Sequence, residues 1–497
     1  MSEFSDSFRA FIKEKDVNVY SMALYCNTDR STMYKYISGK RNLKDFSLFK
    51  KISEFMRLSP KEYQEFLQTY HITNIGEYTY YCRQNVENFI LNFPENLIPP
   101  KPPKNSYGDL PDYFRKSPCF TLHSRVEINN YLYWMIHQES NSSQGHLALL
   151  LQPDYEFLFH LLASIKPSQT PMKIEHIFCL NTSEQMTDSK KIRNLLYMEK
   201  IMPLFFAGLD YHPYYFYDDI NAHFYNLNTL PCLLLTSSGA LMCSSDFKQG
   251  ILYYDEEILG FLWKMYDNIK RKTSPLFHIV NSVLEECNIL GGMGWNLSPS
   301  YGIQAEPCLI PYITPEILER VVHKHLPMRD TMMVNIQNFL ADSKSRIPSP
   351  NMHAYHTRQG ILHFLETGRL QEIPEEIYIP FNMEERLQML EEMLEYMSAG
   401  VYRMLKGPLE NLPLNLHLSF TSNNGYILFS NHAGKNIYLI IEESSMLSAF
   451  MDYASNLDES YICTPEETAA YIRNAIHKYR SGFTPPLSTN ACFYSFN

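Results

Sequence analysis

The sequence predicts a multidomain chain. An N-terminal all-α helix-turn-helix bundle is followed by an α/β region, read either as two related sheet-containing halves or as two unrelated pieces. Three observations predict this. Between Asn18 and Asn42, two short helical stretches flank a tight turn and run into a basic cluster. Pro94 to Pro118 concentrates prolines, which favour an extended, semi-rigid connector. Beyond it, apolar runs of strand length alternate with amphipathic helical stretches, the pattern of a sheet flanked by helices.

The bundle begins at Phe4 to Glu14, where Phe4, Phe8, Phe11 and Ile12 share one helical side. Asn18 can cap the next helix, in which Met22 and Cys26 share a face and Ala23 allows close crossing. Asn27 stands at the turn, since Asn tolerates a left-handed backbone better than any residue except Gly. Asp29 caps a helix from Arg30 to Ser38, with Met33, Tyr36 and Ile37 facing inward. Arg30, Ser31, Thr32, Tyr34 and Lys35 are then left outside, and Gly39 ends the helix. Asp45 to Met56 continues the bundle through Phe46, Phe49, Ile52 and Phe55, and Ser59-Pro60 opens a helix to about Tyr70.

These residues fall in an order that resembles the Cro/repressor type of helix-turn-helix, the XRE family of bacterial regulators. Met22-Ala23, Asn27, Ser31-Thr32-Met33 and Gly39-Lys40-Arg41-Asn42 carry the resemblance, which covers about the first seventy residues. Val19 stands where the family has glutamine, and Ile37 where it has an acidic residue near the end of the recognition helix. The resemblance implies a module that reads duplex DNA in the major groove. Arg30, Ser31, Thr32, Tyr34 and Lys35 would reach base edges, and Lys40, Arg41, Asn42 and Lys44 would lie against the backbone.

Charge points the same way. From Arg30 to Lys61 the bases are Arg30, Lys35, Lys40, Arg41, Lys44, Lys50, Lys51, Arg57 and Lys61, against Asp45 and Glu54 alone. The whole chain of 497 residues has net charge −11, so DNA contact should be local to this front end. The competing reading is a helical module of the same shape used for protein contact.

Gly76 to Phe93 has apolar residues at helical spacing, for packing within the chain or for a dimer contact. After the prolines, helices are expected at 124–139, 155–163, 190–206 and 255–270, and strands at 147–151, 174–180, 214–217, 232–236, 240–244 and 250–254. Further helices are expected at Leu276–Cys287, 316–326, 331–340, 356–368, Glu384–Leu405 and 465–479, with strands at 414–421, 426–430 and 437–442. Expected boundaries are 1–72 for the DNA-binding bundle, 73–93 for a connector helix and 94–118 for the linker. An α/β effector domain would span 119–281, and a sensing and oligomerisation domain 282–497.

The α/β region also resembles, at the level of architecture, the phospholipase D-like effector domains of some bacterial regulators. The H-x-K signature of those enzymes is not present. Gly291-Gly292-Met293-Gly294 lacks dinucleotide-loop spacing. His323 and His325 would point apart on a helix, and His353 and His356 would share a helical face without a third ligand nearby. The aromatic run Tyr211 to Tyr217 reads as a core strand or as a pocket wall. No catalytic or metal residue and no cofactor are assigned, and the chain is expected not to be an enzyme. Its ten cysteines form no CxxC pair, and no apolar run is free of charges over a membrane thickness. A reducing cytoplasm is expected, with no membrane partner.

The function expected is a bacterial, sequence-specific transcription regulator that binds double-stranded DNA as a homodimer. Its large remainder would sense a small-molecule or protein effector. The alternatives are a protein-assembly module without specific DNA binding, and an enzyme fused to a DNA-binding front.

Overall fold

The computed structural model describes residues 2–93, 118–165, 172–182, 186–226 save 188, 228–280, 285, 289, 299–345, 347, 351–397 and 401–482. Residues 94–117 of the proline-rich linker and Gly291 to Trp295 lie outside them. The chain divides into two compact units. One comprises Met1–Asn85 with Glu184–Ile192, and the other Val86–Ser183 with Arg193–Asn497.

The smaller unit is all helical in its first 85 residues: α1 (Glu3–Glu14), α2 (Val19–Tyr25), α3 (Arg30–Ile37), α4 (Phe46–Met56), α5 (Pro60–Ile75) and the start of α6 (Glu77–Leu91). Its core is aromatic. Phe4 stacks on Phe66 at 4.8 Å between ring centroids, and Phe66 stacks on Phe49 at 5.1 Å. Phe8, Phe49 and Phe66 are fully buried. Phe46, expected inside, is 39% exposed and lies at the edge of the core, stacked on Phe49 and beside Tyr70. The helix opened by Ser59 does not stop near Tyr70. It carries a complete capping box with Glu62 and continues to Ile75.

The larger unit holds two mixed sheets. The first is built from β1 (Cys119–Leu122), β2 (His146–Leu150), β3 (Lys173–Leu180), β4 (Asp210–Tyr217), β5 (Cys232–Leu235), β6 (Ala240–Cys243), β7 (Gly250–Tyr253) and β8 (Ser274–Pro275). Its order is β1-β7-β6-β5-β2-β3-β4-β8. Helices α7 (Arg125–Ser140), α8 (Glu156–Ala163), α9 (Arg193–Phe206) and α10 (Glu256–Lys270) accompany it.

The second sheet uses β9 (Phe277–Val280), β10 (Ser300–Gln304), β11 (Met352–His356), β12 (Tyr402–Met404), β13 (Leu416–Phe420), β14 (Gly425–Ser430) and β15 (Asn436–Ile441). Helices α11 (Pro315–Val321), α12 (Arg329–Ser345), α13 (Arg358–Thr367), α14 (Met383–Glu395), α15 (Ser444–Ser455) and α16 (Pro465–Arg480) complete the chain.

The two sheets repeat one plan. In the first, β2 pairs parallel with β3, and β3 with β4. On the other side β5, β6 and β7 follow antiparallel, and the preceding strand β1 closes the edge beside β7. In the second, β10, β11 and β12 are parallel, β13, β14 and β15 follow antiparallel, and β9 closes the edge beside β15. The region therefore contains two related sheet-containing halves, with β8 as an addition to the first.

Several sequence-based expectations are corrected here. The helix expected from Leu276 begins instead as a strand. Buried Leu276 carries the chain from β8 of one sheet to β9 of the other, so the second sheet starts ahead of residue 281. The helix expected over Glu384–Leu405 ends at Glu395, and Tyr402–Met404 is a strand beside β11. His353 and His356 stand on β11, where residues three apart point to opposite faces. His323 and His325 follow α11 outside any helix. The helix α15 and the strands β1, β10, β11 and β12 were not expected at all.

Side-chain hydrogen bonds are among the contacts that tie the halves together. Asn194 of α9 donates to Ser445 Oγ of α15 at 3.0 Å, and the Tyr217 phenol donates to the Glu443 carboxylate. The connector helix ends in the larger unit, where Phe89 meets Phe450 edge-on at 5.7 Å and Phe93 meets Phe429 at 5.5 Å. Among the described residues, no helix is long and apolar enough to cross a membrane.

Candidate nucleic-acid interface

The stretch Asn18 to Lys44 folds from local chemistry. Asn18 Oδ1 accepts the backbone N–H of Ser21 at 3.0 Å and starts α2. Asn27 takes φ +50° at the turn. Asp29 Oδ1 accepts the backbone N–H of Thr32 at 2.9 Å and starts α3. Hydrogen bonds from Thr32, led by its side chain, hold the Asp29 carboxyl below its ordinary pKa. α2 and α3 thus form a helix-turn-helix, with Met22, Ala23, Met33, Tyr36 and Ile37 buried beneath it.

The exit from α3 is shaped by Gly39, at φ +71°. Its N–H donates to the Tyr36 carbonyl at 3.1 Å, and the Arg41 N–H reaches back to the Lys35 carbonyl at 3.2 Å. Two side chains of α5 then fix the loop. Tyr70 Oη donates to the Lys44 carbonyl at 2.7 Å, and Asn74 Nδ2 donates to the Leu43 carbonyl at 2.8 Å. A bundle cut at residue 72 would lose Asn74 and its bond to the loop.

On the outer surface, Arg30, Ser31, Tyr34, Lys35, Lys40, Arg41, Asn42 and Lys44 are exposed, and Thr32 is half-buried. Every side chain assigned from sequence to base edges or backbone thus lies on α3 or in the loop that leaves it. Arg30 sits over the Tyr34 ring at 5.5 Å, an i, i+4 pairing legible in the sequence. Arg41 sits over the Tyr36 ring at 5.7 Å. Sequence reasoning missed this second pair, because Tyr36 lies on the inward face and Arg41 returns to it only through the glycine turn.

Few of these cations meet a carboxylate. Among the described residues, Lys61 approaches Glu65 at 3.9 Å, while Arg30, Lys35, Lys40, Arg41, Lys44, Lys50, Lys51 and Arg57 form no ion pair. Cations left without carboxylates on one module attract an anionic partner over several ångströms, with strong dependence on salt. Tyr20 and Leu24, one helical turn apart on α2, are 57% and 60% exposed and add apolar surface to this unit.

The aromatic run of β4 is a core strand at its start. Tyr211 is fully buried, and its hydroxyl lies 2.7 Å from His176 Nδ1.

No protein-family model and no curated protein matches the chain. Among solved structures, the chain is similar to "TrmBL2, an archaeal chromatin protein", whose structure is described as showing a novel mode of DNA binding. The likeness covers 54% of this chain and 98% of that one, at 10% identity and a TM-score of 0.21. A score of that size carries no argument for fold or function.

Proposed function

We propose that the N-terminal bundle reads duplex DNA in the Cro/repressor manner, and that the chain is a sequence-specific transcription regulator. The observation that carries this reading is the surface of α3 and its exit loop, where exposed hydrogen-bonding side chains adjoin bases that form no ion pair among the described residues. Arg30, Ser31, Thr32, Tyr34 and Lys35 are assigned to base edges, and Lys40, Arg41, Asn42 and Lys44 to phosphates. One helix of eight residues reads few base pairs, so the reading includes a homodimer on two half-sites about one helical turn apart. The α/β halves are assigned the sensing of an effector. A second reading, an acidic protein partner, is favoured by exposed Tyr20 and Leu24 on α2.

The deciding experiment is selection of the full-length protein on a randomised duplex pool at two salt concentrations. An enriched, nearly palindromic site whose retention falls with salt is the expected result. Retention without enrichment removes sequence specificity. No retention of folded protein at either salt moves the assignment to the protein partner.

A further inference from the structure

The second sheet has a cavity of about 170 Å³ on one face, walled by apolar side chains of α11 and α12 and by the chain from Glu372 to Tyr378. That measure leaves room for on the order of ten to fifteen non-hydrogen atoms. Its floor is built from small residues. Gly302 on β10 is flanked in register by Ala354 on β11 and Ser419 on β13, and all three line the cavity. Packing does not require the glycine. A Cβ at Gly302 would find nothing nearer than Gln304 Oε1 at 3.9 Å. A glycine in a strand where nothing crowds it marks close approach by something else.

One end of the floor is polar. Gln304 and His417 lie opposite each other on β10 and β13, at 6% and 4% exposure. His417 is engaged on both sides, with Nδ1 at 3.1 Å from Glu372 Oε1 and Nε2 at 3.1 Å from Tyr426 Oη. Burial pushes its pKa down to about 3, so the ring is neutral. The Gln304 amide, by contrast, makes no hydrogen bond among the described residues, although it faces the cavity. That amide is therefore open, on the cavity side, to hydrogen bonding by a bound polar group. Among the described lining residues, Glu372 is the one carboxylate and there is no Lys or Arg.

We infer that this cavity binds a small, largely apolar molecule with a single hydrogen-bond-donating head, an alcohol or an amine, placed at Gln304 beside the His417–Glu372 pair. The Gln304 carbonyl accepts from the head, and its NH₂ can donate back to an alcohol's oxygen. A carboxylate head is excluded by the neighbouring Glu372 and the lack of a cation to receive it. The site draws on the sensing role proposed for the α/β halves only for its consequence. Binding itself is read without DNA, so its failure and the failure of the DNA reading are separate results.

The test uses full-length protein and 1-naphthylamine, an apolar amine whose fluorescence rises and shifts to the blue in a dry site. Saturable binding at one site per chain is expected, displaced by 1-octanol and octylamine but at least tenfold less effectively by octanoate. If only octylamine displaces, the natural head is an amine; if octanol competes equally, a neutral donor suffices. Gly302→Leu, which fills the floor where a Cβ has room, should weaken the probe at least tenfold while circular dichroism stays unchanged. Gln304→Leu, of similar volume, should weaken octanol several-fold and serves as the second variant if the first does not fold. Non-saturable fluorescence, wild-type binding by both folded variants, or octanoate competing as well as octanol would overturn the inference.

Discussion

A Cβ placed on Gly39 would lie 2.8 Å from Ser5 Oγ and 3.2 Å from Ser5 Cβ, so α1 packs directly against the exit of α3. Ser5 is fully buried there and its hydroxyl donates to the Ser2 carbonyl at 2.8 Å. Gly39 is thus required twice, by its positive φ and by this approach. Gly39→Ala should cost about 1–3 kcal/mol locally. Hydrogen exchange of the full chain should show amide protection in α1 and α3 lowered by roughly tenfold or more. Unchanged protection would mean that the close approach is not what holds the loop.

Lys40→Ala and Arg41→Ala should each weaken DNA binding about evenly across sequences and reduce the salt slope by about one counterion per lost phosphate contact. Arg30→Ala and Lys35→Ala should change the preferred sequence as well, with about 1–3 kcal/mol of discrimination at stake per base contact. Titrations of each variant at several salt concentrations against selected and scrambled duplexes separate the two classes. Identical behaviour of all four variants and wild type would remove α3 as the recognition helix.

Asn194 is 7% exposed and clamps two segments. Its Oδ1 accepts the Asn181 N–H at 3.1 Å, and its Nδ2 donates to the Asn181 carbonyl at 3.1 Å and to Ser445 Oγ at 3.0 Å. Asn194→Ala removes all three bonds and should destabilise the larger unit by about 1–3 kcal/mol. Urea unfolding followed by tryptophan fluorescence, with the tryptophans all beyond residue 133, reads this unit. A midpoint equal to wild type would show that the clamp adds nothing.

Three fully buried histidines should make the larger unit acid-sensitive. Burial lowers His176 from 6.5 to about 4, and His356 and His417 to about 3. His176 fits the neutral state, placing Nε2 3.0 Å from the Leu151 carbonyl and Nδ1 beside the Tyr211 hydroxyl. Neither ring nitrogen of His356 has a partner among the described residues. Since each folded value lies below the unfolded one, the unfolded chain binds more protons between them. Stability is therefore whole above pH 6.5 and declines as pH falls, by about 2 kcal/mol per histidine at pH 5. Urea midpoints at pH 7.5 and 5 check this, and a flat profile would mean that the rings do not titrate through unfolding.

The helix-turn-helix was legible almost residue by residue because its signals are local. Asn18, Asp29 and Ser59 cap as expected, and Asn27 and Gly39 take the left-handed turns. The first sheet was legible in outline, since β5 is an apolar run and β3 ends in one, Ile177 to Leu180. The second was not. Met352–His356 carries two histidines at helical spacing, yet pairing with β10 and β12 makes it a strand. Tyr402–Met404 continues a helical pattern in sequence and is recruited as an edge strand by β11. Short strands draw their stability from partners distant in sequence, which periodicity does not contain.

By itself the sequence determined the bundle, its caps, its exposed basic face and the kinds of element that follow. Those properties rest on backbone preference and side-chain spacing within a few residues. Only the tertiary structure decided that the sheets repeat one strand order, that the chain crosses between them at Leu276, and that Gln304 meets His417 on a cavity floor. Those residues lie far apart in sequence, and strand register alone brings them onto one face.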